Sequence, residues 1–131
     1  MATIENELIV IMKAKDLCSY IMTVTQKSPK QYRFTFVTRL QNLSLDVIEN
    51  LYRANEVLTG GKHGGANYPE RLDFQRRALT DLRILAYFAG LAMEQKCILP
   101  KQYEQIAKQS SECQYLLGGW IKSDKSRFSY E

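Results

Sequence analysis

A repeat of apolar residues at spacings of three and four constrains the fold of this chain more than any other feature. It is clearest in the second of four long segments, where the side opposite the apolar stripe is uninterruptedly polar. An α-helix with one buried and one solvated side has this pattern, so the sequence predicts an all-α fold. The stripe consists of Phe36, Leu40, Leu43, Val47 and Leu51.

Short breaks divide the chain into four predicted helices. The first covers roughly residues 4–26. The second is predicted to begin at Ser28 and Pro29, where a serine cap, a first-turn proline and a glutamine three residues after the serine form a start signal. Glycines in "TGGKHGGAN" are expected to end that helix, because glycine is entropically costly in a helix. Pro69 and Pro100 are predicted to begin the third and fourth helices.

Four helices joined by short connections pack best as an antiparallel up-down-up-down bundle. We therefore predict a four-helix bundle over residues 1–122, followed by a polar, flexible tail over residues 123–131. The only stretch with strand-like alternation is "YRFTFV", and its six residues are outweighed by the helical signals on either side.

Composition sets limits on function. A length of 131 residues fits one domain, and 18 Lys and Arg against 14 Asp and Glu give a net charge of +4. This mild excess permits binding to a polyanion but does not require it. The three cysteines are widely spaced and form no CxxC pair, which favours a reducing compartment. Because no signal peptide and no membrane-length apolar run is recognisable, we expect a cytoplasmic protein with no membrane partner.

Catalytic signals are weak throughout the sequence. The single histidine, His63, lies in a glycine-rich stretch, and no spacing of cysteines and carboxylates suggests a metal site. "GGKHGG" departs from the phosphate-binding loop of nucleotide hydrolases, which needs Ser or Thr after the lysine and follows a strand. We expect no enzyme activity, no cofactor and no metal.

Basic residues of the third helix form the first candidate binding surface. Arg76 and Arg83 are seven residues apart and share a face, Arg77 adjoins Arg76, and Tyr87 follows Arg83 by one turn. Arginine binds phosphate at two points, and tyrosine can stack on an unpaired base. The alternative is that Arg83 and Tyr87 line a subunit or helix interface.

The stretch "LLGGWIK" in the fourth helix is the second candidate. Each glycine inside a helix costs about 1 kcal/mol relative to alanine, so Gly118 and Gly119 need a reason. Either another backbone comes close to them or the helix ends there, and the apolar stripe that continues to Ile121 favours a continuous helix. Trp120 beside them suggests close packing in which a large ring fills the space that the glycines leave. That contact lies either inside the bundle or between subunits.

The C-terminal half of the chain resembles a known family. Residues 79–123 contain the "LR" of Leu82 and Arg83, the Ala89–Gly90 pair, the Gln102–Tyr103 opening and the close "LLGGWIKS". These features are similar to the third and fourth helices of the four-helix-bundle family that includes 23S rRNA intervening-sequence proteins and Avd proteins, the accessory variability determinants of diversity-generating retroelements. Family members often carry a second arginine at the position of Tyr87.

The resemblance implies a non-enzymatic helper that assembles as a homopentamer. It would bind a reverse transcriptase and template RNA, or other nucleic acid, through basic surfaces and support mutagenic cDNA synthesis. The alternative is a self-associating bundle of the intervening-sequence type whose partner is unknown. The candidate binding residues are Arg76, Arg77, Arg83, Lys122, Lys125 and Arg127, and the candidate packing residues are Tyr87, Gly118, Gly119 and Trp120.

Overall fold

Four α-helices pack side by side in a computed structural model that describes residues 2–60 and 64–128, with side chains described for 9–60 and 65–128. Consecutive helices are in contact, and the first also contacts the fourth. This arrangement is an up-down bundle, so the predicted all-α bundle is confirmed. The helices are α1 (Ala2–Thr25), α2 (Thr38–Glu56), α3 (Gly64–Glu94) and α4 (Pro100–Phe128).

The core consists of one stripe from each helix, as the apolar periodicity predicts. Aliphatic side chains such as Leu17, Leu40 and Leu117 are fully buried, and Trp120 is the largest buried side chain. Ser110 occupies a core position without an orphaned hydroxyl, because its Oγ donates to the carbonyl oxygen of Leu82 at 2.9 Å. Among the described residues, no helix is both long and apolar enough to cross a membrane.

The buried stripe of α3 differs from the stripe that apolar periodicity predicts, which contains Leu72, Leu79, Leu82, Ala86, Ala89 and Met93. Leu72, Leu79 and Met93 are only partly buried. The most buried positions begin with two polar residues, Arg71 and Gln75, and continue along the helix through small and aliphatic side chains. The remainder of the stripe is Ala78, Leu82, Leu85, Ala89 and Ala92.

The predicted start of the second helix is wrong. Ser28 does not cap a helix; its Oγ donates to the carbonyl oxygen of Cys97 at 2.9 Å. Pro29 is extended (ψ 140°) and precedes a 3₁₀ turn, Lys30–Tyr32, and a π-helical turn, Arg33–Val37, before regular α2 begins. We call residues 28–37 the bend. It is attached to the α3–α4 connection, because the Tyr32 hydroxyl also donates to the carbonyl oxygen of Gln95 at 2.6 Å.

The third helix begins before the proline that was expected to start it. It includes Gly64 and Gly65, while residues 61–63, with Lys62 and His63, lie outside the described residues. A proline near a helix start removes few hydrogen bonds, and tertiary contacts stabilise the added turn. Asn67 Nδ2 donates to the carbonyl oxygen of Leu58 at 2.8 Å, and the rings of Tyr68 and Phe128 lie 5.5 Å apart.

The predicted tail from Ser123 is also wrong as far as the described chain extends. α4 continues to Phe128, and both Asp124 and Phe128 are buried. The polar composition suggests a tail, but the carboxylate of Asp124 has buried partners on α3, described below. Residues 129–131 lie outside the described residues.

Candidate functional site

The outer face of α3 carries an exposed row that the sequence predicts. Arg76 and Arg83 are exposed, and Tyr87 is 69% exposed one turn beyond Arg83. Neither arginine forms an ion pair within 4.0 Å of any residue whose side chain is described. This row is therefore available to a partner outside the chain, whether a polyanion or another subunit.

Acidic neighbours reduce the net charge at one end of this row. Arg77 is paired with Asp73 at 3.0 Å, and Arg76 shares a shallow pocket with Asp73 and Asp81. Partial burial raises the pKa of Asp81, the charge of Asp46 raises it further, and a hydrogen bond from an asparagine opposes the shift. Arg83 is therefore the stronger anion-binding candidate of this row.

The three cations near the end of α4 do not form one patch. Lys122 and Lys125 are exposed. Arg127 lies 3.9 Å from the carboxylate of Asp124, and its guanidinium is 4.8 Å from the ring centre of Phe128. With 3.6 residues per turn, Lys122 and Arg127 point about 140° apart around the helix axis.

Among the residues whose side chains are described, none on another helix packs against Gly118 or Gly119. A Cβ atom added at either position would meet no atom within 4 Å, apart from immediate neighbours and the helix's own backbone. Trp120 points the opposite way and is completely buried. The ring of Trp120 therefore does not fill the space beside Gly118, and the outer side of the glycine pair is open to a contact from outside the chain. Tyr115, one turn earlier, is 83% exposed.

A buried polar cluster joins α3 to α4, and the sequence analysis missed it. Arg71 Nε and Nη2 donate to the two carboxylate oxygens of Asp124 at 2.6 and 3.2 Å, and Gln75 Nε2 donates to the same carboxylate at 2.9 Å. The Arg71 guanidinium also lies 4.9 Å from the ring centre of Trp120. We call these four residues the Arg71–Asp124 cluster.

The cluster is closed to solvent, so its role is to fix the register of the two helices. Arg71 is 3% exposed, and Gln75 and Asp124 are completely buried. A signal existed in the sequence: Arg71 and Gln75 continue the spacing of Ala78 and Leu82 toward the start of α3. Apolar periodicity cannot use that signal, since it counts only apolar residue types.

Nucleophilic and metal-binding groups are poorly placed among the described residues. All three cysteines are buried thiols, and burial raises the pKa of Cys113 to about 12, with a smaller contribution from the charge of Glu112. Such a thiol carries almost no thiolate at neutral pH. No group of three or more described His, Cys, Asp or Glu side chains could hold a metal ion.

Comparison with known proteins identifies the fold. No family model and no curated protein matches the chain. A solved crystal structure of a protein of unknown function from the S23 ribosomal protein family of Bacteroides thetaiotaomicron has the same fold, with a TM-score of 0.75 and 18% sequence identity. The match covers 89% of this chain and 98% of that one. The resemblance to intervening-sequence bundles is thus confirmed as a likeness of fold.

Proposed function

We propose that this chain is a non-enzymatic, self-associating helical bundle of the intervening-sequence type, and that the assembly holds a polyanion on exposed basic residues. The observation that carries the proposal is the outward-facing pair Gly118–Gly119 in the middle of α4. The fold likeness supports the intervening-sequence alternative in preference to the retroelement accessory protein.

Self-association follows from the energetic cost of these two glycines. Alanine at each position would stabilise an isolated helix by about 1 kcal/mol, and nothing within the bundle blocks a Cβ there. Small residues allow the backbone of a second helix to come close. Tyr115 on the same side of α4 supplies an exposed ring for such a contact.

We call Gly118, Gly119 and Tyr115 the glycine strip of α4. The nearby surface of α1 is also partly apolar. Lys13 Nζ and a Glu112 carboxylate oxygen are 3.8 Å apart, which places the two helices side by side at this level. Met12, adjacent to Lys13, is 63% exposed. A partner helix on the glycine strip would therefore find apolar surface on both α4 and α1.

The polyanion is suggested by the exposed row on α3. Arg76 and Arg83 have free guanidinium groups on one face, and Tyr87 adds an exposed ring at the end of the row. An assembly would carry one copy of this row on each subunit. Several rows could then bind the same polyanion, which raises the overall affinity above that of one row. Affinity should then fall steeply with salt concentration.

The test of self-association uses opposite effects on folding and assembly. The double variant Gly118→Leu/Gly119→Leu should lower the mass measured by light scattering toward the 15.2 kDa of one chain, while its melting temperature stays the same or rises because helix propensity improves. Ser126→Leu, an added side chain at an exposed position of the same helix, is the control and should keep the wild-type mass. A wild-type protein that is monomeric at all accessible concentrations rejects the proposal.

The retroelement accessory protein is the second candidate, favoured by the resemblance of residues 79–123. It requires a homopentamer, a mass five times that of the chain, and co-elution with a reverse transcriptase encoded nearby. A pentamer that does not bind the reverse transcriptase but still binds RNA would favour the first proposal.

A further inference from the structure

The basic excess of this protein is concentrated at the end of the bundle that holds the bend. No acidic residue occurs between Asp16 and Asp46, although four cations do. None of these four belongs to the candidate residues that the sequence analysis selected. The cations are Lys27, Lys30, Arg33 and Arg39.

The bend is fixed rather than loosely attached. Its Ser28 and Tyr32 side chains donate to the carbonyl oxygens of Cys97 and Gln95 on the α3–α4 connection, and the Thr38 hydroxyl donates to the carbonyl oxygen of Arg33 at 2.6 Å. Side chains on the bend therefore project from a defined backbone. Such a fixed scaffold lowers the entropic cost of binding a ligand.

A polar cleft of about 390 Å³ opens between the bend and the adjoining ends of α1 and α2. Lys30 and Arg33 line it, and among the side chains that the structure describes no carboxylate does. Gln41 Nε2 donates to the Thr25 hydroxyl at 3.0 Å within the lining, so part of the polar lining is held in place. The lining residues are Thr25, Gln26, Ser28, Pro29, Lys30, Arg33, Val37, Thr38 and Gln41.

This lining suits a phosphate group. A lysine ammonium and an arginine guanidinium give two cationic donors, and the guanidinium can bind two phosphate oxygens at once. Because no carboxylate lines the cleft, nothing in the lining repels an anion. Hydroxyl and amide groups on the same walls can supply further hydrogen bonds.

An exposed aromatic residue is the chain neighbour of Arg33, which lines the cleft. Phe34 follows Arg33 in the chain and is 85% exposed. The rings on either side of it, Tyr32 and Phe36, contact each other at 5.9 Å and pack against the core. Phe34 is therefore left outside that packing and faces solvent. A free aromatic ring next to a phosphate-binding group is the arrangement that stacks an unpaired base.

We propose that the cleft binds a backbone phosphate of single-stranded nucleic acid and that Phe34 stacks on a neighbouring base. The inference rests on the polyanion part of the proposed function and deepens it by naming the ligand class and a second site. Duplex ligands fit less well, because their bases are already stacked and unavailable to the ring.

The experiment is a fluorescence-anisotropy titration of the full chain with a short labelled oligouridine over a range of salt concentrations. Phe34→Ala should weaken binding about ten-fold, the size expected for one lost base stack, and Phe34→Tyr should restore it. Lys30→Gln/Arg33→Gln should also reduce the slope of log affinity against log salt by about 0.7, because the contact with one phosphate of a single strand is lost. All three positions are exposed, so circular dichroism and the melting temperature should remain those of the wild type.

A matched variant, Arg76→Gln/Arg83→Gln, removes the same charge from α3. If the wild type does not bind oligouridine at low salt, the polyanion part of the proposed function is wrong and this inference falls with it. If the α3 variant loses binding while Phe34→Ala and Lys30→Gln/Arg33→Gln bind as the wild type does, the cleft is wrong and the proposed function stands. If polyglutamate displaces the labelled oligouridine as well as unlabelled oligouridine does, and Phe34→Ala has no effect, the cleft is a site for acidic protein and the inference is overturned.

Discussion

Replacing Asp124 with alanine should destabilise this protein more than almost any other polar substitution. Its carboxylate accepts three hydrogen bonds, from Arg71 Nε, Arg71 Nη2 and Gln75 Nε2, at a site that water does not reach. Without the carboxylate, the buried guanidinium loses two hydrogen bonds and the opposite charge of Asp124. Removing one partner of a buried ion pair typically costs about 3–5 kcal/mol.

This cost translates into a large shift of the melting temperature. Unfolding entropy of about 2.1 cal/mol/K per residue gives about 0.28 kcal/mol/K for 131 residues, so Asp124→Ala should melt about 11–18 °C lower. Trp120 is the only tryptophan and lies 4.9 Å from the Arg71 guanidinium. Its fluorescence during thermal or urea unfolding therefore reports directly on the Arg71–Asp124 cluster.

A second aspartate–arginine pair, with both residues on α3, provides the control. Asp73 and Arg77 are 3.0 Å apart, but their side chains are 59% and 61% exposed. An exposed pair contributes at most about 1 kcal/mol, so Asp73→Ala should lower the melting temperature by about 4 °C or less. If both alanine variants melt at the same temperature, burial does not control the strength of the Asp124 contact and the reasoning is refuted. Arg71→Met/Asp124→Leu should recover at least half of the loss, since apolar side chains then replace both members of this buried ion pair.

Three further changes test other parts of the fold. Removing residues 124–131 should lower the melting temperature at least as much as Asp124→Ala does, because the ring of Phe128 is lost as well, whereas a chain ending at Phe128 keeps both contacts. Lys96→Gly should raise the free energy of unfolding by about 0.5–1 kcal/mol, because Lys96, two residues after the end of α3, has φ at 65°, where a Cβ is strained; Lys96→Ala should bring no such gain in urea unfolding. Asp81→Asn should raise the melting temperature at pH 7, because partial burial raises the pKa of this carboxyl and makes its charged form unfavourable. The native state then binds the proton more tightly than the unfolded chain does, so the gain should disappear as pH falls through the raised pKa toward the ordinary 3.8; a gain that persists at lower pH contradicts this cause.

The sequence by itself determined the class of fold and most of the core. A spacing of three and four residues is a local property, so it identified the four helices and the buried positions of α1, α2 and α4, such as Leu17, Leu51 and Trp120. It grouped Arg83 and Tyr87 on one face of α3 but left open a contact with another helix, and in the structure both are exposed.

Only the tertiary structure decided where polar residues are buried and which way the glycines face. Arg71 and Asp124 are 53 positions apart in the chain. Each of them, taken alone, is predicted to be exposed because it is charged, and burial becomes favourable only because the two residues pair. The bend likewise depends on hydrogen bonds from Ser28 and Tyr32 to a distant connection, which override a regular helix start. Local periodicity carries no information about partners so far apart, and burial of a polar group is favourable only when such a partner is present.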